Sequence, residues 1–138
     1  MKTNVGLAIL ALSALILGAC SNASAPQTKQ IETHRANDLV IALLSEKGEL
    51  AQGQNRFSIA FRSAANNQPV DAGTVTVSAS MAMPGMAPMT APIELDSTGE
   101  TGKYAAKGDF GMSGAWKFEV RWNGPAGQGS TSFSSPVR

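Results

Sequence analysis

The sequence predicts an all-β protein, an immunoglobulin-like antiparallel β-sandwich of about seven strands. Beyond residue 53, apolar and polar residues alternate with a period of two, which is typical of strands that have one buried face. Clusters of Asn, Asp, Ser, Gly and Pro separate the alternating segments and predict turns. Short strands and polar turns within about one hundred residues favour two packed antiparallel sheets.

The predicted strands differ in how clearly they alternate. The inward rows are Phe57, Ile59 and Phe61, then Val75, Val77 and Ala79, and in the clearest strand Trp116, Phe118, Val120 and Trp122. Shorter strands fit residues 92–95, 103–110 and 130–133, and turn signals stand at 66–69, 96–99 and 123–125. Segment 38–45 is apolar enough for a strand or a short helix that Asn37 and Asp38 cap and Gly48 ends. We predict a strand, because a sandwich needs a first strand to cover its edge.

The N-terminus predicts export from the cytoplasm. Lys2 precedes an apolar run over residues 5–17, which is shorter than the about 20 residues that a membrane-spanning helix needs and is typical of a signal peptide. The sequence LGAC at 17–20 resembles a bacterial lipobox, which implies cleavage before Cys20 and lipidation of its sulfur. The alternative is an ordinary signal peptide with a chance cysteine.

The predicted organisation is therefore a signal peptide at 1–19, a lipidated cysteine and flexible tether at 20–35, and a β-sandwich domain at 36–138. The tether segment is rich in Ser, Ala and Gln and poor in large apolar residues. Ser21 resembles the default signal for the outer membrane, so we expect a lipid-anchored protein of the bacterial cell envelope that faces the periplasm. Two or more acyl chains would anchor it stably.

Composition excludes several classes of function. The formal net charge of the chain is +1, and removal of Lys2 with the signal peptide leaves ten basic and ten acidic residues, so neither nucleic acid nor Ca²⁺ is an expected ligand. Cys20 is the single cysteine and His34, in or beside the tether, the single histidine. Because the folded part then offers no thiolate and no imidazole base, we expect no enzymatic activity.

Four methionines lie within nine residues, in the sequence MAMPGMAPM at 81–89, and Met112 is the other methionine besides the initiator. Thioethers are soft ligands that suit Cu(I). Methionine also fills gaps in hydrophobic cores, and strand parity would continue the inward row of Val77 and Ala79 through Met81 and Met83. Pro84 and Gly85 suit the two central positions of a type II turn. The candidate metal ligands are Met83, Met86, Met89, Met81 and Met112.

Several segments together resemble the YtkA-like and FixH-like domain family, a group of small envelope β-sandwiches. The segments are LAQGQNRF at 50–57, QPVDAGTV at 68–75, MPGM at 83–86, GKY at 102–104 and MSGAW at 112–116. The resemblance implies a context of copper handling or cytochrome oxidase assembly. Many members carry a histidine near the second methionine of the turn, where this chain has Ala87 and Pro88, so a thioether-only site and monovalent copper are implied. The anchoring expected here favours the YtkA-like side.

Two functions remain open on the sequence. The first is an envelope lipoprotein that binds or passes Cu(I) through the methionine loop. The second is a non-metal interaction module whose apolar Met-Pro loop docks on an envelope partner, such as an efflux or oxidase-assembly component.

Overall fold

Residues 27–138 are described by a computed structural model, and within that range all eight regular elements are β-strands. They are β1 (Lys29–Ala36), β2 (Leu39–Ser45), β3 (Gly53–Ser63), β4 (Thr74–Met81), β5 (Met89–Ser97), β6 (Lys103–Phe110), β7 (Gly114–Gly124) and β8 (Gly127–Val137). Residues 27–138 contain no helix of the length and apolarity that crossing a membrane requires. The predicted signal peptide and Cys20 lie outside the described residues.

The strands follow the order β1-β2-β3-β6-β5-β4-β7-β8, and every neighbouring pair is antiparallel. Strand β5 belongs to both sheets, because its first residues pair with β4 and its last residues pair with β6. The strands β2-β3-β6-β5 and β4-β7-β8 therefore follow the A-B-E-D and C-F-G order of an immunoglobulin-type sandwich. The all-β antiparallel prediction is confirmed, with eight strands where about seven were expected.

The additional strand is β1, which covers residues 29–36 and so occupies part of the predicted tether. It pairs with β2 as an edge strand, and the His34 ring stacks on Phe133 of β8 with the ring centroids 6.0 Å apart. Beyond the end of β8, the backbone N–H of Gln52 donates to the Arg138 carbonyl at 2.7 Å. These contacts bring the two edges together, and the sandwich is nearly a closed barrel.

The predicted inward rows form the core. All of their members are buried except the half-buried Val75 at the edge of the cluster. Aromatic side chains connect the two sheets, as where Phe57 and Phe110 of one sheet meet Phe118 of the other at centroid distances of 6.2 and 5.8 Å. Segment 38–45 contributes Ile41 and Leu43 to this core as part of strand β2, so the prediction of a strand there is confirmed.

Residues shared with the resembled family explain the turn that leads into β3. Leu50 is fully buried, and Gly53 has φ of +91°, which an L side chain rarely adopts. The Asn55 carboxamide accepts from the Ala51 N–H at 2.9 Å and donates to the carbonyl oxygens of Ala51 and Gly53 at 2.6 and 2.8 Å. One side chain thus satisfies three backbone groups of the turn.

Gly102 has an equally specific role at the start of β6. Its φ is +69°, and a Cβ there would collide with the carbonyl oxygens of Val70 and Phe61. Its own carbonyl accepts from the Phe61 N–H at 2.7 Å. The glycine of the GKY motif is therefore required by close backbone packing.

We expect Asn55→Ala to lower the free energy of unfolding by about 2 kcal/mol, because three backbone groups of a half-buried turn lose their partner. Urea denaturation followed by tryptophan fluorescence measures the change. The exposed neighbour Gln54 provides the control, since Gln54→Ala should change stability by less than about 0.5 kcal/mol. Equal effects of the two substitutions would contradict the role given to Asn55.

Candidate functional site

The methionines gather at one end of the sandwich, which we call the methionine end. Strand β4 ends at Met81 and β5 begins at Met89, and these two residues are cross-strand partners. Both side chains are half-buried and pack against the core. The loop between β6 and β7, which carries Met112, lies at the same end. The Met81 side chain is therefore partly buried, and it covers the hydrophobic core at this end of the sandwich.

The turn between the two strands has the geometry predicted from Pro84 and Gly85. The Met86 N–H donates to the Met83 carbonyl at 3.1 Å, and Gly85 has φ of +73°, as position three of a type II turn requires. Met83 and Met86 are the first and fourth residues of this turn. Met83 is half-buried, whereas 68% of Met86 is exposed. Packing in the core therefore does not explain why position 86 carries a methionine.

The sulfurs of Met81 and Met89 lie against the segment 111–114, which we call the glycine loop. A Cβ added to Gly114 would stand 2.7 Å from Met81 Sδ, and one added to Gly111 would stand 3.4 Å from Met89 Sδ. These two glycines flank Met112, whose side chain is 41% exposed. The thioethers of the β4–β5 hairpin thus lie against the loop that carries Met112.

Two hydrogen bonds from outside hold the glycine loop in place. Gln52 Nε2 donates to the Gly111 carbonyl at 3.0 Å, and Trp116 Nε1 donates to the Met112 carbonyl at 3.0 Å. Beneath the loop, the buried rings of Trp116 and Phe110 meet in a T-shaped contact at 5.1 Å. The loop therefore rests on the aromatic core, and its position is tied to the packing of Trp116.

The donor atoms of the methionine end are chemically uniform. Among residues 27–138 no group of three or more His, Cys, Asp and Glu side chains is arranged to hold a metal ion. The donor atoms that the methionines offer here are thioether sulfurs, a class of ligand that suits a soft monovalent ion. Of the five predicted ligands, Met81 and Met89 lie against the glycine loop, Met112 lies within it, and Met83 and Met86 lie on the hairpin turn.

Sequence reasoning missed the contribution of Gly111, Gly114 and Trp116 to this arrangement. Trp116 was assigned to the core, where it is indeed fully buried, but its indole N–H also holds the loop. The available signal was the pair of glycines on either side of Met112 in the sequence GMSG at 111–114. Glycines beside an isolated methionine indicate room for other side chains to approach.

Two other features lie away from the methionine end. An open groove of about 550 Å³ on the outer face of β3, β5 and β6 is lined by both acidic and basic side chains, including Arg56, Glu94 and Lys107, and so favours no single charge of ligand.

Burial and the negative charge of Asp71 raise the pKa of Tyr104, whose hydroxyl donates to the Gly73 carbonyl at 2.9 Å. Because the protonated phenol is favoured in the folded state, that stabilisation is present below pH 10.0 and lost as the pH rises above it.

Comparison with known proteins gives one family and a shared fold. The family model described as YtkA-like matches residues 33–121. The crystal structure of a DUF4426 family protein from Pseudomonas aeruginosa PAO1 is similar with a TM-score of 0.52 and 14% identity, over 77% of this chain and 96% of its own. That likeness shows the fold alone. No curated protein matches the chain in sequence.

Two structures of FetP from uropathogenic Escherichia coli strain F11 are also similar, one a copper-bound variant and one the protein as isolated. Their TM-scores are 0.45 and 0.46, with 11% and 12% identity. They cover 80% of this chain and 97% and 95% of their own chains. Because both TM-scores lie below 0.5, the function of this chain has to be argued from its own residues.

We expect dilute hydrogen peroxide to oxidise Met86 first, then Met112, and Met81 and Met89 last, because the rate of sulfoxide formation follows the exposure of the sulfur. Peptide mass spectrometry over a time course measures the order. The same treatment in urea should remove the differences. Oxidation of Met81 as fast as that of Met86 would contradict the packing described here.

Proposed function

Since the chain belongs to the YtkA-like family, with the family match spanning residues 33–121, we propose that it is a membrane-anchored envelope lipoprotein that binds or passes Cu(I) through its methionine end. The observation that supports the proposal is the approach of Met81 Sδ and Met89 Sδ to the two glycines that flank Met112. Met83 and Met86 on the adjacent turn are further candidate ligands.

The chemistry of the donors favours monovalent copper. Cu(I) accepts a small number of soft ligands, and thioethers are poor ligands for harder divalent ions. Ala87 and Pro88 occupy the stretch where the resembled family often has a histidine, so no imidazole is present to favour Cu(II). A bound ion would lie beside a hydrophobic core that excludes water on one side, which suits a weakly hydrated cation.

The remaining parts of the proposal concern location and partners. We propose that Cys20 is lipidated, that the protein faces the periplasm from the outer membrane, and that it meets an envelope protein partner but no nucleic acid. We propose no catalytic role, because the single histidine, His34, stacks on Phe133 within an edge strand. An imidazole held in that contact is poorly placed to activate a nucleophile.

A second candidate function is docking of a protein partner without metal. Among the described residues, the large hydrophobic side chains that are exposed are Met86 and Met112, and both stand at the methionine end. Flexible methionine side chains suit adaptable hydrophobic contacts. The same surface therefore supports either function, and the chemistry of sulfur separates them.

We expect the purified protein to bind one equivalent of Cu(I) in an anaerobic competition titration with a chromophoric chelator. Replacement of Met81, Met83, Met86, Met89 and Met112 by Leu should abolish this binding, because leucine retains apolar bulk and lacks a donor atom. Each Met→Leu exchange should cost less than about 1.5 kcal/mol of stability, and circular dichroism checks that the variant is folded. Zn²⁺ serves as the ion that should bind neither protein.

The two candidate functions give opposite results with the five-leucine variant. Copper binding depends on sulfur and is lost, whereas hydrophobic docking depends on apolar bulk and survives. A wild-type protein that shows no Cu(I) binding above the background of the competitor would exclude the copper function and leave docking.

We expect Cys20→Ser to release the protein from the membrane fraction and to prevent incorporation of a fatty-acid label, because serine cannot form the thioether bond to the lipid. Fractionation of cells that express either protein measures the effect. A Ser21→Ala variant keeps the cysteine and should remain membrane-bound and labelled. Unchanged labelling of Cys20→Ser would contradict lipidation at this cysteine.

A further inference from the structure

We propose that the ion is held by an inner set of three thioethers, Met81, Met89 and Met112, and that Gly114 and Trp116 are the positioning residues that assemble this set. The inference rests on the proposed function, and it goes further by separating the inner set from Met83 and Met86 on the turn. It also defines the ligand class as soft monovalent d¹⁰ cations, which include Ag(I) as well as Cu(I).

The register of the sheet explains why the first two thioethers converge. Met81 and Met89 are cross-strand partners. Strands β4 and β7 pair as far as Ser80 opposite Lys117, so Met81 lies opposite Trp116 in the next row. Both residues have the inward parity of the buried neighbours Ala79 and Phe118. The inward row therefore runs from Met89 through Met81 to the indole of Trp116.

Gly114 makes room for the Met81 sulfur. A Cβ at this position would stand 2.7 Å from Met81 Sδ, which is closer than real Cβ contacts allow, so any side chain there would displace the sulfur. A Cβ at Gly111 would stand 3.4 Å from Met89 Sδ, which is an ordinary van der Waals distance. The need for glycine is thus greater at Gly114 than at Gly111.

Trp116 sets the position of the third thioether through the backbone. Its Nε1–H donates to the Met112 carbonyl at 3.0 Å, and the ring is fully buried against Phe110. The residue that bears the third sulfur is consequently attached to a side chain that cannot move without disturbing the core. This arrangement joins a partly exposed ligand to a rigid support.

The turn methionines lack such support. Met86 is 68% exposed on a turn closed by one backbone hydrogen bond to Met83. Ordering of the long, exposed Met86 side chain around an ion costs conformational entropy, and the half-buried Met81 and Met89 side chains have less of this freedom left to lose. For this reason we assign the tight site to the inner set.

The test uses protein labelled with ¹³C at the methionine ε-methyl groups and titrated with Ag(I), which resists redox change. We expect the resonances of Met81, Met89 and Met112 to shift together at one equivalent while that of Met86 stays unchanged. Shifts confined to Met83 and Met86 would overturn the inference and leave the proposed function intact. A spectrum in which no methyl responds, together with no Cu(I) binding, would overturn both.

The positioning residues are tested by variants that keep every methionine. Gly114→Ala should weaken Cu(I) and Ag(I) binding by about tenfold or more and remove the response of Met81 alone. The control is Gly127→Ala, which introduces a side chain at a similarly unfavourable φ of +95° in open space and should leave affinity unchanged. Equal affinities of Gly114→Ala and the wild type would overturn the role of Gly114.

Trp116→Phe removes the indole N–H and retains an aromatic ring in the core. We expect this variant to lose the response of Met112 selectively while Met81 and Met89 still respond, a pattern that a general loss of stability would not produce. A retained Met112 response in folded Trp116→Phe would overturn the role of Trp116. If Gly114→Ala does not fold, Trp116→Phe still tests the assembly of the inner set, because it keeps both glycines and every methionine.

Discussion

Burial of the inward face of β7 between the two sheets is the interaction on which the rest of the molecule depends. Trp116, Phe118 and Val120 are fully buried, and their row faces the aromatic residues of β3 and β6. Edge-to-face contacts between such rings add about 0.5–1.5 kcal/mol per pair to the burial of their area. Strand β7 also has neighbours on both sides, so the positions of β4 and β8 follow from its own. The same strand begins at Gly114, where the core meets the candidate site.

The fold and the site are therefore parts of one arrangement. Trp116 packs on Phe110 with its ring and holds the Met112 carbonyl with its nitrogen. The residues shared with the YtkA-like family fall into two groups, those that stabilise the fold and those of the candidate site. Gly53, Asn55 and Gly102 have structural roles that backbone geometry explains. The MPGM turn has no comparable structural role beyond closing a hairpin, since Met86 is largely exposed.

Much of the fold could be predicted from the sequence because strand alternation is a local property. The rows of Phe57 and Trp116 were assigned to the correct face, and the type II turn at Pro84 followed from two residues alone. Strand β1 was missed because its eight residues include one large aliphatic side chain, Ile31, and an edge strand needs little apolar surface. Strand β1 forms because it pairs with β2, and the local pattern of apolar and polar residues does not reveal that pairing.

The chemistry of the candidate site and its five methionines could be predicted from the sequence, but their proposed grouping could not. Clustering along the sequence favoured Met83, Met86 and Met89 as ligands, with Met81 and Met112 as further candidates, because residues that are close along the chain are assumed to be close in space. The proposed inner set combines the β4–β5 hairpin with the glycine loop, and its geometry depends on which loop lies beside the end of β4. That neighbour is set by the pairing of β4 with β7, a contact between residues about 40 positions apart in the chain. The absence of a side chain at Gly114 carries no hydrophobic signal and becomes informative only beside the Met81 sulfur.

The direction in which the chain enters the sandwich has a consequence for the distance between the thioethers and the membrane. Strand β1 begins at Lys29, opposite Ser45 at the end of β2, and this is the end at which the methionines gather. From Cys20 to Lys29 a fully extended chain spans roughly 30 Å. With the proposed lipid on Cys20, strand β1 would begin within roughly 30 Å of the lipid, at the same end of the sandwich as the thioethers. A donor or acceptor of the ion that is anchored in the same membrane would then reach the thioethers without leaving that membrane.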